Sequence, residues 1–377
     1  MQHTDLSRRA FASTLAAAGG ALVAGLAPRL AEASLQRTDP RRSIQLNSNE
    51  NPYGPSPKAL AAMKRAQAVA GRYPDDLEEE MLAALAEHHG VDPSRIVMGC
   101  GSSEILRLAD AAFLAPGRTA VAAEPTFEAV LEYAGVHGGA PVKVPLDSRF
   151  RHDLGRMAAA CDARTGLVYV CNPNNPTGTV VGEAELLAFL EQVPRSAVVL
   201  VDEAYHHFVE DAGYRSMAGA LDRFPNLVVA RTFSKIHGMA GMRLGYALAS
   251  EENAKALRRH GYWGNLNAAV LAAARESLRD AGHVARQRAL LNGTRRRLCE
   301  ELARDGRRYI PSEANFVMID VGQDVGPVVE AFREHGILVG RRFPALATWL
   351  RVTMGTPRET DAFLRALRKI VPVRAAA

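Results

Sequence analysis

Short apolar runs alternate with amphipathic helical windows over most of the chain, and turn residues separate them. Strands that alternate with helices are typical of parallel sheets covered on both faces, so the pattern predicts an α/β fold with a mainly parallel, seven-stranded sheet sandwiched by helices. The strands are expected at Ile96–Met98, Thr119–Ala123, Val142–Val144, Leu167–Cys171, Ala197–Val201, Leu227–Ala230 and Tyr246–Ala249. The helical windows between them are Ser102–Leu114, Phe127–Val136, Glu183–Gln192 and Glu251–Arg259.

The pattern changes after Gly264, and this change predicts a smaller C-terminal α+β domain at residues 261–377. Residues 71–260 form the predicted large domain, and residues 34–70 form an N-terminal arm that packs with the small domain. The arm is expected because Ser43–Pro57 is polar and rich in turn residues. The C-terminal helical windows are Leu266–Arg279, Val284–Arg304, Val328–His335 and Pro357–Ile370, and the strand-like runs are Phe316–Ile319, Ile337–Val339 and Leu350–Met354.

The first 33 residues resemble a twin-arginine export signal. Arg8 and Arg9 precede a weakly apolar run, and Ala31-Glu32-Ala33 offers small residues for cleavage. The run is too short and too bland for a membrane span, so we expect a mature chain from about Ser34 that is exported, for example to the periplasm, and holds no membrane segment. The alternative is a soluble amphipathic helix on a cytoplasmic protein.

Composition excludes several classes of protein. With 377 residues, 47% hydrophobic and 23% charged residues, the chain has the composition of an ordinary globular protein. The net charge of +5 comes from scattered arginines without a basic stripe, which argues against nucleic-acid binding. The four cysteines show neither metal-ligand spacing nor a disulfide framework, so we predict no metal, although Cys100 and Cys171 adjoin candidate motifs.

The candidate chemistry centres on Lys235, which comes five residues after Ala230, the end of the apolar strand at Leu227–Ala230. A desolvated lysine has a lowered pKa, which suits an amine that forms a Schiff base. Thr232, Ser234 and Arg243 would suit a phosphate group. A solvated charge at a strand end is the alternative interpretation of this lysine.

Four further strand ends carry polar or aromatic groups. Gly101, Ser102 and Ser103 open a helix, and they would either hold an anion or form an ordinary turn. A dinucleotide-binding site is disfavoured, because Glu104 replaces the last glycine of the dinucleotide fingerprint. Phe127 would stack on a flat ring or belong to the core. Asn175 and Tyr205 could bond a phenolate oxygen, and Asp202 could pair with a protonated ring nitrogen or cap a helix. An anion site, an aromatic plate, an acid and an amine together predict pyridoxal 5′-phosphate (PLP).

These residues resemble the motifs of fold-type I PLP-dependent aminotransferases of class I/II, and among them the histidinol-phosphate aminotransferase group. The resemblance extends from about Asn47 to the C-terminus. The motifs that carry it are Asn49–Pro55, Arg72–Asp75, Asn174–Gly178, Asp202–Tyr205, Thr232–Lys235 and Leu350–Thr353.

The resemblance implies a homodimer with shared active sites, in which Tyr73 reaches the partner's cofactor phosphate and Tyr53 helps to cover the substrate. Arg351 matches the arginine that binds the substrate carboxylate, and Asn175 stands near both ligands. Lys235, with Asp202 and Tyr205, would carry out a ping-pong transfer of an amino group from an amino acid or a histidinol-phosphate-like amine to a 2-oxo acid. Lys235 would act through a Schiff base and shuttle the α-proton.

One departure concerns the substrate. Members that act on phosphates carry an arginine after the Gly-Ile-apolar-apolar strand, where this chain has Gly340 followed by Arg341. Either Arg341 has taken over as a substrate-binding residue or the substrate lacks a phosphate, and we hypothesise an amino-acid aminotransferase of broad specificity. Another PLP reaction, such as a decarboxylation or a cyclising or lyase step, and a non-catalytic binding protein are the alternatives.

Overall fold

The computed structural model describes residues 43–372, and those from Gln45 onward belong to one compact unit. The predicted export signal at residues 1–33 and the beginning of the predicted arm lie outside the described residues. None of the described helices is long and apolar enough to cross a membrane.

A seven-stranded sheet forms the centre of the fold, as predicted. Its strand order is β2-β8-β7-β6-β5-β3-β4, and β8 alone runs antiparallel to its neighbours within this sheet. The strands of the described chain are β1 (Ile44–Leu46), β2 (Ile96–Gly99), β3 (Thr119–Glu124), β4 (Ala140–Pro145), β5 (Thr165–Cys171), β6 (Val198–Asp202), β7 (Leu227–Thr232), β8 (Gly245–Ala249), β9 (Tyr309–Ile310), β10 (Phe316–Asp320), β11 (Ile337–Val339) and β12 (Trp349–Thr353).

Helices cover the sheet and extend into the C-terminal part. The helices at Glu183–Gln192 and Pro357–Ile370 have the predicted bounds. The helix at Leu154–Ala159 and the strands β1 and β9 were missed, because each is too short to show a hydrophobic period. The helices are α1 (Pro57–Ala66), α2 (Asp75–His89), α3 (Ser102–Phe113), α4 (Ala129–Val136), α5 (Leu154–Ala159), α6 (Glu183–Gln192), α7 (Glu251–Arg258), α8 (Ala268–Arg279), α9 (Ala281–Arg304), α10 (Val325–Glu334) and α11 (Pro357–Ile370).

The central strands are continuous apolar runs because both of their faces are buried. Every residue of β5, β6 and β7 is buried, as expected for parallel strands covered by helices on both sides. The polar residues of these strands therefore stand at their ends, where Asp202 and Thr232 close β6 and β7. Ligand sites of open α/β sheets lie at this carboxyl edge.

The C-terminal part adds an antiparallel sheet of order β12-β10-β9 and a pair formed by β1 and β11. The boundaries that we predict at residues 70 and 260 stay predictions. β10 and β12 pair so that Met318 lies opposite Arg351, which fixes Arg351 in the middle of a hydrogen-bonded strand.

The segment before α1 connects the C-terminal sheet with the end of β7. The Asn49 amide donates to Thr353 Oγ1 at 2.9 Å, and Asn315 Nδ2 donates to the Asn49 carbonyl at 3.0 Å. Asn51 Nδ2 donates to the carbonyl of Ile236 at 2.9 Å. These buried bonds to distant parts of the chain give an irregular segment a defined position.

The segment before α1 also approaches the loop after β7 at two glycines, Gly54 and Gly238. Gly238 has a φ of +67°, and a Cβ placed there would lie 2.2 Å from the carbonyl carbon and oxygen of Gly54. A side chain at position 238 would therefore separate the segment from the loop that carries Lys235.

We predict that Gly238→Ala lowers the free energy of unfolding by about 2–4 kcal/mol, since the strained φ adds to overpacking against backbone. Urea unfolding measures this loss. Gly219→Ala is the matched control, because no atom lies within 4 Å of a Cβ built at Gly219. Equal stability of the two variants would contradict the predicted contact.

Candidate active site

A pocket of about 390 Å³ opens at the carboxyl ends of β3, β5, β6 and β7. This volume lies in the range of roughly 300–1,000 Å³ that is usual for small-molecule sites. The predicted site residues that line it are Ser102, Ser103, Phe127, Asn175, Asp202, Tyr205, Thr232, Ser234, Lys235, Arg243, Arg341 and Arg351. The remaining lining residues are Ser48, Asn49, Glu50, Thr126, Cys171, Ala204, Ala240, Gly241 and Phe343.

The Lys235 amine lies inside this pocket, three residues beyond the end of β7. Its Nζ donates to the carbonyl of Ser48 at 3.3 Å and lies 5.5 Å from the centre of the Tyr205 ring. Burial lowers the pKa of this amine to about 8, and the Arg351 guanidinium contributes to the shift. The amine is therefore partly unprotonated near neutral pH and can act as a nucleophile and a base.

An anion cradle lies at one end of the pocket. It is formed by the first turn of α3, which begins at Ser102, and by Arg243. Gly101 has a φ of +79°, and a Cβ there would lie 2.2 Å from Arg243 Nη2, so glycine allows the guanidinium to approach the end of the helix. Arg243 Nη1 also donates to Ser234 Oγ at 3.3 Å, and Thr232 Oγ1 donates to the same oxygen at 3.0 Å. Helix amides, hydroxyls and a guanidinium are the groups that bind phosphate.

Asp202 supplies a buried acid at the other side of the pocket. Its side chain accepts a hydrogen bond from Tyr169 Oη at 2.9 Å and from the Ala204 amide at 3.1 Å. Burial raises the pKa of Asp202 to about 6, against the effect of these bonds and of Lys235. The carboxylate stays ionised at neutral pH and can hold a proton on a ring nitrogen placed against it.

Tyr205 and Asn175 are each fixed by a hydrogen bond with another side chain. Tyr205 Oη accepts a bond from Asn49 Nδ2 at 3.0 Å, and burial raises the pKa of this phenol. Asn175 Oδ1 accepts from Arg351 Nη1 at 2.6 Å, so its amide nitrogen is the group left to donate to a ligand. Both side chains keep a polar atom for the pocket.

Arg351 and Arg341 form the cationic wall. Arg351 is buried, and its guanidinium also donates to the carbonyl of Asn47 at 2.8 Å. The guanidinium carbons of Arg351 and Arg341 lie 5.2 Å and 4.3 Å from the centre of the same ring, that of Phe343. The two cations therefore face one region of the pocket.

The residues fit PLP. Gly101 admits the Arg243 guanidinium to the anion cradle, the acid at Asp202 is buried and ionised, and the amine at Lys235 has a lowered pKa. Phe127 lines the pocket and also packs against the core, and its stacking on a flat ring stays a prediction.

Three predicted site residues lie outside the lining of this pocket. Gly101 acts through its contact with Arg243. Tyr53 is half-buried, burial raises the pKa of its phenol, and Glu359 adds to the shift. Tyr73 is 85% exposed, so within one subunit it contacts no cofactor site.

Several lining residues were not found from the sequence. Asn49 belonged to a motif whose turn-like composition showed no chemistry, although it orients Tyr205 and Thr353. Phe343 lines the pocket but showed no chemistry in the sequence. Tyr169, which bonds Asp202 from behind the lining, lies inside an apolar strand. Cys171, which the sequence placed next to a motif, does line the pocket.

Known proteins carry the same sequence pattern. Residues 41–367 match the family model of aminotransferase class I and II. A histidinol-phosphate aminotransferase of Moorella thermoacetica is 42% identical over 331 residues, which cover 87% of this chain and 85% of the relative. Histidinol-phosphate aminotransferase 2 of Pseudomonas aeruginosa is also 42% identical, over 88% of this chain and 90% of that protein.

Solved structures share the fold. A putative histidinol-phosphate aminotransferase of Erwinia carotovora atroseptica has a TM-score of 0.84 at 33% identity and covers 87% of this chain and 96% of its own. Histidinol-phosphate aminotransferase of Sinorhizobium meliloti, solved in complex with pyridoxal 5′-phosphate, has a TM-score of 0.82 at 28% identity, over 87% and 90% of the two chains. The chain therefore belongs to the class I and II aminotransferases.

Proposed function

We propose that this PLP-dependent aminotransferase takes the amino group from an amine that carries a separate anionic group and passes it to a 2-oxo acid. Histidinol phosphate is the first candidate donor, a choice supported by the names of the relatives that are 42% identical. The observation that carries the proposal is the placement of two guanidinium groups, Arg351 and Arg341, beside the Phe343 ring. Two cations in one pocket suit an acceptor 2-oxo acid with an anion at each end. Histidinol phosphate has no carboxylate, and Arg341 would bind its phosphate.

The backbone at Gly340 supports Arg341 as the second cation. A Cβ at Gly340 would lie 2.7 Å from the Arg351 carbonyl oxygen and 2.9 Å from Arg351 Cβ, and the Gly340 amide donates to that oxygen at 2.8 Å. A larger residue at position 340 would displace Arg351. The next residue, Arg341, lines the pocket, which favours the first of the two alternatives drawn from the sequence and argues against the hypothesis of a substrate without a phosphate.

Arg351 is suited to bind a carboxylate. Within residues 43–372 it makes no ion pair; it bonds neutral oxygens of Asn175 and Asn47, and its Nε has no partner. Burial lowers the pKa of Arg351, since a desolvated cation without a counter-ion is unfavourable. A substrate carboxylate would supply that charge in a bidentate pair.

The remaining roles follow from the positions in the pocket. Bound PLP supplies an electron sink for the bond that breaks at the substrate α-carbon. The α3 N-terminus, Ser234 and Arg243 would bind its phosphate, and Asp202 would keep its ring nitrogen protonated. Lys235 would hold the cofactor through its amine and then take the proton from the substrate α-carbon.

We further propose a homodimer with shared active sites. Large side chains are exposed on one surface: Tyr262 is 68% exposed, Trp263 is 97% exposed, and Tyr73 lies next to Gly264. Exposed aromatic residues of this size are typical of interfaces between proteins. A partner subunit would bury them and bring Tyr73 to a second active site.

Export by the twin-arginine route is also a proposal, and it rests on Arg8, Arg9 and the Ala31–Ala33 site. N-terminal sequencing of the protein from cell fractions checks it. A mature chain beginning near Ser34 outside the cytoplasm supports the proposal, and an intact Met1 terminus in every fraction overturns it.

We predict that the enzyme prefers histidinol phosphate to histidinol and that Arg341→Gln reduces this preference. In this variant kcat/KM for histidinol phosphate should fall by about 10- to 100-fold, the range for the loss of a hydrogen bond to a charged group. Arg342→Gln is the control, because Arg342 pairs with Asp324 and does not line the pocket. An unchanged preference in Arg341→Gln, or faster turnover of free amino acids by the wild type, would contradict the proposal.

A second prediction concerns pH. With a pKa of about 8, roughly one Lys235 amine in ten is unprotonated at pH 7. The rate at which the apoenzyme takes up PLP should therefore rise with pH, with its midpoint at about pH 8. Arg351→Gln removes a neighbouring cation, so the pKa of Lys235 should increase and the midpoint should move to higher pH. Arg358→Gln changes an exposed residue and is the control, so it should leave the midpoint in place. An equal midpoint in the wild type and both variants would rule out Lys235 as the titrating group.

A third prediction concerns assembly. The wild type should sediment as a dimer, and Trp263→Glu should shift it toward the monomer with loss of activity, because a buried charge disfavours the interface. Val136→Glu makes the same type of change at a residue that is 77% exposed elsewhere. If Trp263→Glu sediments like the Val136 control, the proposed interface is wrong.

A further inference from the structure

The cation Arg341 already has a counter-ion within the protein. Its Nη2 forms an ion pair with Oε2 of Glu128, a residue 213 positions away in the sequence. Glu128 lies immediately before α4 and next to Phe127, whose side chain lines the pocket. The ion pair therefore joins the α4 end of the sheet domain to the segment that follows β11, at the margin of the site.

The two cations of the pocket differ in this respect. Arg351 bonds neutral oxygens, as described above, whereas Arg341 bonds a carboxylate. Arg341 and Glu128 keep 54% and 41% of their side-chain surface exposed. Ion pairs exposed to this degree are weak. A ligand anion can therefore replace Glu128 without leaving an uncompensated buried charge.

The position of Glu128 relative to Arg351 also indicates that a ligand anion would compete with Glu128. The Glu128 carboxylate raises the pKa of Arg351 and the Arg341 guanidinium lowers it, so both charges act on the carboxylate-binding residue. A substrate that anchors one anion at Arg351 meets both Arg341 and Glu128 with its other end. A second anionic group is attracted by Arg341 and repelled by Glu128.

We propose that Glu128 is a specificity-determining residue whose carboxylate is an internal counter-ion for Arg341 that the second anionic group of a substrate must displace. The inference rests on the proposed function, because it takes Arg341 as the site of that group. In the free enzyme Glu128 holds Arg341 over the Phe343 ring; in the complex the substrate anion takes its place. The affinity for ligands with two anionic groups is then lower than it would be if neither Arg341 nor Arg351 had a counter-ion in the protein.

The test uses unreactive ligands, so it does not depend on turnover. The dissociation constants of glutarate, with two carboxylates, and pentanoate, with one, are measured by calorimetry on the PLP-loaded enzyme. In Glu128→Gln glutarate should bind more tightly. Its dissociation constant should fall by about two- to fivefold relative to that of pentanoate, the range for the loss of an exposed ion pair. Glu132→Gln, which removes the same charge one turn along α4 from an exposed residue, should leave the ratio unchanged.

The outcomes separate the inference from the function on which it rests. If Arg341→Gln weakens glutarate binding but Glu128→Gln leaves it unchanged or weakens it, Arg341 binds the second anion and the counter-ion role is wrong. If glutarate binds no better than pentanoate and Arg341→Gln has no effect, the two-anion proposal fails together with the inference. If Glu128→Gln and Glu132→Gln change glutarate binding equally, the effect comes from the net charge of the protein, and the counter-ion role of Glu128 is wrong.

Discussion

The site depends on keeping a half-buried lysine amine among positive charges. Lys235 lies at the end of a strand whose residues are all buried, with Arg351 and Arg243 as cationic neighbours and Asp202 and Glu50 as acidic ones. Burial and the two arginines lower its pKa, and the acids only partly oppose them. The same arginines are the groups proposed to bind substrate and cofactor anions. The reactivity of the amine and the recognition of anions therefore have one electrostatic cause.

The contacts that hold these charges together come from distant parts of the chain. Arg351 is fixed by its strand register in the C-terminal sheet, by Asn175 after β5 and by the Asn47 carbonyl before α1. Because each of these contacts belongs to a different element, no single element can position the guanidinium. The close approach of Gly238 to Gly54 adds a purely steric constraint, since it keeps the same N-terminal segment against the lysine loop.

The sequence predicted the fold and the cofactor pocket well because both depend on local patterns. Asp202 directly follows the apolar strand Ala197–Val201, and Lys235 comes five residues after the strand Leu227–Ala230. These parallel strands are neighbours, and their carboxyl ends meet at one edge. Asn49 was not predicted as a site residue, because its role arises from a contact across more than 100 residues, that with Tyr205. Phe343 was not predicted either, because an apolar ring between two arginines shows no chemistry in the sequence. Tyr73 and Tyr53 entered by resemblance, and a single subunit does not place them in the pocket.

Gly340 and Arg341 show how local packing constrains the cationic wall. A side chain at position 340 would collide with Arg351, so the cation that lines the pocket stands at the next residue. Both residues follow the end of β11 at Val339, and Arg341 is exposed enough there to pair with Glu128. In the role proposed for Arg341, the selectivity for substrates depends on how strongly their second anion competes with this carboxylate of the protein.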